Sequence, residues 1–386
     1  MNDPTTAEHL HTVGTPVADR LIGLDVARGI ALIGVCVMNY HGYLNSRAAD
    51  ADRSLAGRIF NPWTGPLSTR FAAVFVTVAG IGVVLLGRRA IASGDRARIA
   101  TIRWRLVRRG LTLLAAGYVL DWIWNGTILW FYGGFFLVGA ALVTLRDRWV
   151  IAAGAAAVGG AAAIQWWSVQ RTSDGHTTSW LLHGYSEFTM SPRDLIFDLF
   201  VRGTHPLLPW LGFFCMGIVL GRRLPWNVVT RVNLAFAGAL CLAAGYGLAA
   251  VAPWHPQLRS THPFDRGLFY VRRRGRIGVD VEMLTTVGST LVAVALITWL
   301  AERTRTSAVT DALAVAGRTT LTLYVLHVLV FRLVVDWLGW LHFNAGLGTA
   351  LAFALAYWVF AVLLANVWAD RVGQGPLEWM YRRVSE

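Results

Sequence analysis

Long apolar runs alternate with short polar connections along almost the whole chain. About ten runs have the roughly 17–25 residues that an α-helix needs to cross a bilayer. Lone apolar strands would leave backbone groups unpaired in lipid, so the runs are predicted to be helices. We expect an all-α fold, a polytopic helical bundle with about ten transmembrane helices. The runs cover residues 21–44, 66–87, 106–124, 127–145, 149–169, 196–221, 228–252, 281–301, 319–340 and 345–368.

Composition supports a membrane protein. Hydrophobic residues make up 55% of the 386 residues and charged residues only 15%, whereas soluble domains carry about 25% charged residues. Soluble, disordered and disulfide-scaffold classes are therefore excluded. The three cysteines lie inside apolar runs without CxxC spacing, and no histidines have metal-ligand spacing. We expect no disulfide and no metal site.

All 35 basic residues are arginines, against 22 acidic residues, which gives a formal charge of +13. The arginines lie between the apolar runs and form no continuous stripe. This distribution is typical of charged loops in a membrane protein and argues against nucleic-acid binding. Because they gather in alternate connections, we expect a plasma-membrane protein with both termini in the cytoplasm. Outer loops then fall near residues 45–65, 170–195 and 253–280. The arginines between 272 and 276 break this pattern.

The two ends of the chain differ from the transmembrane domain predicted over residues 21–368. Residues 1–20 are polar and are expected to form a cytoplasmic tail, with no cleaved targeting segment. Residues 369–386 alternate aromatic and basic side chains. That pattern is typical of a cytoplasmic segment that lies at the headgroup boundary.

The first run contains polar residues that suggest a functional path. Asp25 and Arg28 are three residues apart and share a helix face. The pair is either a structural ion pair or an anion site in which Asp25 orients the guanidinium. Asn39 lies about 16 Å further on nearly the same face as Arg28, and His41 follows near the outer boundary. An imidazole there suits a general base, or simply a hydrogen-bonded boundary residue. This arrangement resembles a conduit from Arg28 to His41.

Other runs contribute further candidates. Arg70 opens the second run as a membrane anchor or a substrate clamp. His205 stands beside a proline break, where freed carbonyls could line a cavity. Arg318 lies at the predicted cytoplasmic mouth, and Tyr324 and His327 lie near mid-membrane. The latter two are either structural hydrogen-bonding residues or substrate contacts.

Three segments carry a family resemblance. The stretch from Arg20 through Asn39 resembles the opening of the bacterial YeiB-type membrane proteins and of the heparan-alpha-glucosaminide N-acetyltransferase family. It is more distantly similar to acyltransferase family 3. Gly317-Arg318 through Tyr324, and the tail Gly375-Pro376-Leu377-Glu378-Trp379, are similar to the carboxy-terminal YeiB-type signature. Residues 205–222 also resemble the middle of these chains.

The resemblance implies an integral-membrane acyltransferase that uses cytosolic acetyl-CoA or another acyl-CoA, without a metal. The acceptor would be a cell-envelope glycan, lipid or small metabolite on the far side of the membrane. The resemblance itself implies roles only for Asn39 and His41. Our leading hypothesis adds donor binding by Arg28, Asp25 and Arg318, catalysis by His41 or His205 with Asn39 at the oxyanion, and substrate binding by Arg70, Tyr324 and His327.

The competing hypothesis is a transporter or channel. Asp25, Arg28 and the intramembrane histidines would then form a solute or proton path. Expected partners of the enzyme are membrane lipids, acyl-CoA and the extracytoplasmic acceptor, and no nucleic acid. Small-residue runs such as 152–163 also permit a homodimer.

Overall fold

The computed structural model describes residues 21–47, 54–62, 65–124, 127–178, 192–251, 281–341 and 347–385. All regular structure in these ranges is helical, which confirms the predicted all-α class. Two π-helical turns, Asp198–Arg202 and Arg332–Trp337, continue the α-helices that end at Phe197 and Phe331. The helices are α1 (Ile22–Arg47), α2 (Leu55–Ile59), α3 (Arg70–Ser93), α4 (Arg96–Asp121), α5 (Ile128–Leu142), α6 (Asp147–Ser173), α7 (Pro192–Phe197), α8 (Leu207–Arg222), α9 (Val228–Val251), α10 (Val281–Arg303), α11 (Ala308–Arg318), α12 (Thr320–Phe331), α13 (Leu347–Val372) and α14 (Pro376–Ser385).

Each predicted run corresponds to a helix or to a pair of helices. Within the described ranges, seven helical segments are long and apolar enough to cross a membrane. They are α1, α3, α6, α9, α10, α12 with its π-helical turn, and α13. α5 and α8 are apolar but shorter, and the first half of α4 is rich in arginine. Seven long spans and three less regular helices therefore stand where about ten spans were predicted.

Two predicted segments differ from the structure. The sixth run, predicted as one kinked helix, is interrupted after the π-helical turn, and α8 begins at Leu207 behind Pro206. Proline cannot donate the backbone hydrogen bond that a continuous helix needs there. The segment after α13, predicted to lie at the headgroup boundary, also packs into the bundle. Its helix α14 contacts α4 and α12, and Ser385 of α14 is fully buried. Residues 1–20 and the arginines between 272 and 276 lie outside the described residues.

α1 lies at the centre of the bundle and packs against α3, α10, α11, α12 and α13. Its contact with α11 depends on two glycines. A Cβ on Gly317 would come within 1.8 Å of the Asp25 carbonyl oxygen, and one on Gly29 within 2.5 Å of the Leu313 carbonyl oxygen. The two backbones therefore touch, which brings Arg28 and Arg318 to the same side of the bundle.

Ion pairs gather several arginine-bearing connections at one end of the bundle. Asp147 binds Arg222 at 2.6 Å and Arg223 at 3.7 Å, and Arg231 binds Glu302 at 2.5 Å. We call this end the arginine-rich end, and the end that carries α2 the opposite end. The common side predicted for these connections agrees with this geometry, while the compartment that each end faces stays a prediction.

Candidate functional site

A cavity of about 250 Å³ lies at the arginine-rich end, between α1, α3, α4, α5, α12 and α14. Its lining contains four arginines, namely Arg28, Arg109, Arg318 and Arg382. Among the described lining residues, Glu378 is the sole carboxylate. The remaining wall is mostly apolar and aromatic, formed by Phe75, Ala79, Leu86, Leu113, Ile128, Leu129, Tyr132, Phe136, Leu321, Tyr324 and Tyr381. The cavity is thus a cationic site with an apolar interior.

Arg28 enters the cavity from α1. Its guanidinium lies 3.6 Å from the Asp25 carboxylate, and the side chain stays 30% exposed. A Cβ on Gly82 of α3 would lie 2.8 Å from Arg28 Nη2, so this glycine leaves room for the guanidinium. The predicted Asp25–Arg28 pair is present, and Asp25 orients Arg28 without covering it.

The other cavity arginines come from distant parts of the chain. Arg318 ends α11 and Arg382 lies on α14, and neither has an ion-pair partner in the described part of the chain. Arg109 lies over the ring of Tyr381, 5.7 Å from its centroid. Burial raises the pKa of the Tyr381 hydroxyl, partly offset by Arg109, so the phenol stays neutral at physiological pH.

The C-terminal helix closes one side of the cavity through Glu378. Its Oε1 accepts hydrogen bonds from the N–H groups of Leu321 at 2.6 Å and Thr322 at 3.1 Å. These are among the first N–H groups of α12, which lack partners within the helix. Trp379 and Met380, on the other face of α14, are half exposed.

Two buried tyrosines, Tyr132 and Tyr324, line the cavity. The Tyr324 hydroxyl accepts a hydrogen bond from the Ile128 N–H at 3.0 Å and lies 3.4 Å from Thr127 Oγ1. Tyr132 is only 7% exposed, and its hydroxyl has no hydrogen-bond partner among the described residues. Buried hydroxyls are normally paired, so the Tyr132 hydroxyl is free to meet a polar group of a ligand.

A hydrogen-bonded pair of polar residues lies one helical turn beyond Tyr324. His327 Nδ1 is hydrogen-bonded to the Tyr324 carbonyl, and His327 Nε2 lies 3.1 Å from Asn39 Nδ2. The Tyr40 hydroxyl donates to the His327 carbonyl at 2.9 Å. This pattern fits a neutral imidazole with its proton on Nδ1 and Nε2 accepting from the Asn39 amide. The Asn39–His327 pair therefore links α1 to α12.

Aromatic side chains pack around the Asn39–His327 pair, and we call this cluster the aromatic layer. Tyr43 stacks on Trp124 with ring centroids 3.6 Å apart, and Tyr40 packs on Phe353 at 4.8 Å. Trp124 also contacts His327 at 5.8 Å. The cavity lining does not include Asn39, His41 or His327. The described cavity therefore does not extend to Asn39 or His41, and the conduit from Arg28 to His41 stays a prediction.

His41 does not join Asn39, in contrast to the implied catalytic arrangement. Two residues along a helix correspond to a rotation of about 200°, so the two side chains leave α1 on nearly opposite faces. His41 Nδ1 lies 2.7 Å from the Phe60 carbonyl oxygen, and its Nε2 has no partner among the described residues. The side chain is 1% exposed. His41 is thus a buried, oriented imidazole away from the Asn39–His327 pair.

His205 and Arg70 lie outside the cavity lining. His205 Nδ1 is 3.0 Å from Thr204 Oγ1, and its ring packs on Trp210 at 4.6 Å between centroids. Arg70 Nη2 donates to the Thr285 hydroxyl at 2.8 Å and so links α3 to α10. Their assigned roles in catalysis and acceptor binding stay predictions.

Several site residues were missed by sequence reasoning, namely Arg109, Tyr132, Glu378, Tyr381 and Arg382. An arginine next to an apolar run was the only signal for Arg109. Arg332 and Asp336 were missed as well. They form an i,i+4 ion pair inside an apolar run, and Arg332 Nε donates to the Ile123 carbonyl at 2.7 Å. Because charged pairs within a membrane span are rare, the sequence alone could have identified Arg332 and Asp336 as candidates.

Comparison with known families identifies the family of the chain, which is a family of membrane acetyltransferases. Residues 20–245, more than half of the chain, match the family described as heparan-alpha-glucosaminide N-acetyltransferase, catalytic, and the chain belongs to this family. Residues 230–386 match the family described as protein of unknown function DUF418. Both matches support the resemblance to the YeiB-type and N-acetyltransferase proteins. No individual curated protein matches the chain.

The cavity draws on both matched regions. Arg28, Arg109 and Tyr132 lie within the N-acetyltransferase match, and Arg318 and Glu378 lie within the DUF418 match. The site therefore forms only when the two regions fold together.

Proposed function

We propose that the protein is an integral-membrane acyltransferase whose donor, an acyl-CoA, enters the cavity from the arginine-rich end. The observation that carries this proposal is the combination of four arginines with an apolar wall that contains Tyr132 and Tyr324. Guanidinium groups match phosphate oxygens in charge and geometry. Coenzyme A joins a diphosphate and a further phosphate to a long uncharged arm, so its two halves match the two parts of the cavity.

The size of the cavity suggests how the donor lies. At about 250 Å³, the cavity is smaller than the roughly 300–1,000 Å³ of sites that bury whole ligands. We assign it to the pantetheine arm, with the thioester near Tyr132 and the phosphates among Arg28, Arg318 and Arg382. The adenosine part would then lie outside, beside α4 and α14.

We assign the role of general base to His327, with Asn39 holding its Nε2 until the acceptor arrives. Asn39 lies about three helical turns beyond Arg28 on nearly the same face of α1, in line with the cavity. His327 Nε2 takes the proton of an acceptor hydroxyl or amine. The acceptor oxygen or nitrogen attacks the thioester carbonyl, the C–S bond breaks, and the departing thiolate takes that proton. His41 is the alternative base, because its Nε2 is unpaired.

Because aromatic rings contact His327, we propose that the aromatic layer rearranges to admit the acceptor. We propose an acceptor hydroxyl or amine on a cell-envelope glycan, lipid or small metabolite, with the donor supplied from the cytosol. A plasma-membrane location and cytoplasmic termini fit this direction of transfer.

The test uses the purified protein in lipid nanodiscs with radiolabelled acetyl-CoA and an envelope extract as acceptor. We expect the wild type to bind the donor and transfer label, and His327→Gln and His327→Ala to bind the donor without transfer. His176→Ala, at an exposed position, is the matched control and should behave as the wild type. Thermal unfolding of each variant checks that it is folded.

Two outcomes would contradict this assignment. Label transfer that persists in folded His327 variants but is lost in His41→Ala would move the base to His41. A wild type that binds no acetyl-CoA and instead moves solute into proteoliposomes would support the transporter hypothesis.

A further inference from the structure

Glu378 joins two parts of the cavity wall that are far apart in sequence. Besides the two N–H groups of α12, its carboxylate accepts a hydrogen bond from the Thr322 hydroxyl at 2.5 Å. The Leu377 N–H in turn donates to Thr322 Oγ1 at 3.1 Å. Glu378 is 57 residues from Leu321 along the chain, so this contact is a tertiary connection between α14 and α12.

The sequence around Glu378 is suited to this contact. Pro376 begins α14, where its missing N–H has no cost. A Cβ on Gly375 would lie 2.0 Å from Glu378 Oε2 and 2.8 Å from Thr322 Oγ1, so a larger residue there would displace the Glu378 carboxylate from this contact. Gly373 has a φ of 90°, which lets the chain turn between α13 and α14. The Gly375-Pro376-Leu377-Glu378 sequence therefore delivers a carboxylate to the amino end of α12.

Both elements that Glu378 joins carry cavity arginines. On α14, Glu378 and Arg382 are four residues apart, share a helix face and both line the cavity. On the other side, Arg318 ends α11 two residues before Thr320, the first residue of α12, and Glu378 binds the N–H groups of Leu321 and Thr322 in the first turn of α12. One carboxylate thus fixes the backbone that carries Arg318 and the helix that carries Arg382.

The electrostatic consequence is that these arginines stay available to an anion. The amino end of a helix carries a partial positive charge, which compensates the charge of Glu378. In the described part of the chain, Glu378 forms no ion pair with a cavity arginine, and Arg318 and Arg382 have no acidic partner. A carboxylate held on the helix end therefore does not neutralise the cation site beside it.

We infer that Glu378 is a positioning residue, which holds Arg318 and Arg382 in place for the phosphate groups of the ligand. It acts through these arginines and through the α12–α14 contact. The identity of the ligand as an acyl-CoA rests on the proposed function, but the arrangement suits any diphosphate-bearing ligand.

The experiment measures the binding of inorganic pyrophosphate to the full-length protein in nanodiscs by calorimetry. We expect Glu378→Ala to weaken pyrophosphate binding about tenfold, because the carboxylate hydrogen bonds that fix both arginine-bearing elements are lost. Glu378→Gln keeps an acceptor oxygen for the α12 N–H groups and should stay within about threefold of the wild type. The matched control is Glu302→Gln, which removes a carboxylate bound to Arg231 at the same end and should change nothing.

Two further measurements separate positioning from general loss of structure. Binding of pantetheine, which carries no phosphate, should be unchanged in Glu378→Ala. Arg318→Ala should cost much less affinity in the Glu378→Ala background than in the wild type, because both changes remove the same interaction.

Equal losses for pyrophosphate and pantetheine, fully additive effects with Arg318→Ala, or an unchanged Glu378→Ala would each overturn the inference. So would a wild type that binds acetyl-CoA but no pyrophosphate, and that result would leave the proposed function standing. A wild type that binds pyrophosphate but no acetyl-CoA would reject the proposed donor, while the Glu378 variants would still test the inference.

Discussion

Arg28 lies in an apolar helix, where a guanidinium is costly unless it is paired or faces a polar cavity. Asp25 provides a loose partner at 3.6 Å, and the cavity provides the opening. We expect Arg28→Ala to lower acetyl-CoA affinity by about ten- to a hundredfold, which corresponds to the loss of charged hydrogen bonds. Arg28→Lys should be intermediate, because an ammonium group cannot bind phosphate through two parallel hydrogen bonds.

The matched control for this prediction is Arg88→Ala, since Arg88 is exposed on α3 and outside the cavity lining. Titration of acetyl-CoA into the purified protein measures all three variants. Equal effects of the Arg28 and Arg88 substitutions would indicate general attraction by surface charge instead of a defined site.

Single residues show where sequence reasoning succeeds and where it ends. The i,i+3 spacing of Asp25 and Arg28 predicts their contact, because both residues belong to one helix. The partner of Asn39 was not predictable in this way, because His327 lies 288 residues away. The helical period alone places Asn39 and His41 on nearly opposite faces of α1, so the sequence could have excluded their direct pairing.

At the level of helices, the positions of the cavity arginines depend on how closely α1 and α11 pack at Gly317. A Cβ there would overlap the Asp25 carbonyl at 1.8 Å, so α1 and α11 would have to move apart. We expect Gly317→Ala to destabilise the protein by about 1–3 kcal/mol or more and to weaken acetyl-CoA binding. Thermal unfolding in detergent, together with acetyl-CoA titration, measures both effects.

Gly159→Ala on α6 is the matched control, because a Cβ there meets nothing within 4 Å. Alanine has the better helix propensity, so this variant should be neutral or up to about 1 kcal/mol more stable. If both substitutions had the same effect, the close approach of α1 and α11 would not matter for stability.

The elements themselves were largely predictable, because lipid requires long apolar helices and the chain supplies them. The interruptions within the predicted helices were harder to predict. Pro206 marked a disturbance in the sixth run, but the sequence did not reveal a π-helical turn followed by a new helix at Leu207. The packing of the C-terminal segment depends on the contact of Glu378 with the amino end of α12, which hydropathy cannot encode.

The whole molecule places its charged cavity at the arginine-rich end, and the aromatic layer lies further into the bundle around the Asn39–His327 pair. Hydropathy predicted a bundle but not which helices surround α1, because nearly every run is apolar. The combination of Arg28, Tyr132, Arg318 and Glu378 in one cavity results from that packing. The two ends of the bundle therefore differ in charge, and the direction of any transfer depends on which end faces the cytosol.

We predict that the arginine-rich end faces the cytoplasm, because arginine-bearing connections are retained on that side. Cysteine labelling of whole cells with a membrane-impermeant maleimide tests this orientation. Cys36 and Cys215 are buried and stay in place, and Cys241→Ala removes the partly exposed third thiol. In this background, Leu55→Cys at the opposite end should be labelled on intact cells, since residue 55 is 67% exposed.

Arg98→Cys, at an exposed position of the arginine-rich end, should be labelled only after the cells are permeabilised. The reverse pattern would turn the cavity mouth away from the cytosol, where acyl-CoA is made. A donor could then not reach Arg28, Arg318 and Arg382 from its own compartment. The acyltransferase proposal would lose its source of acyl groups, however well the purified protein bound acetyl-CoA.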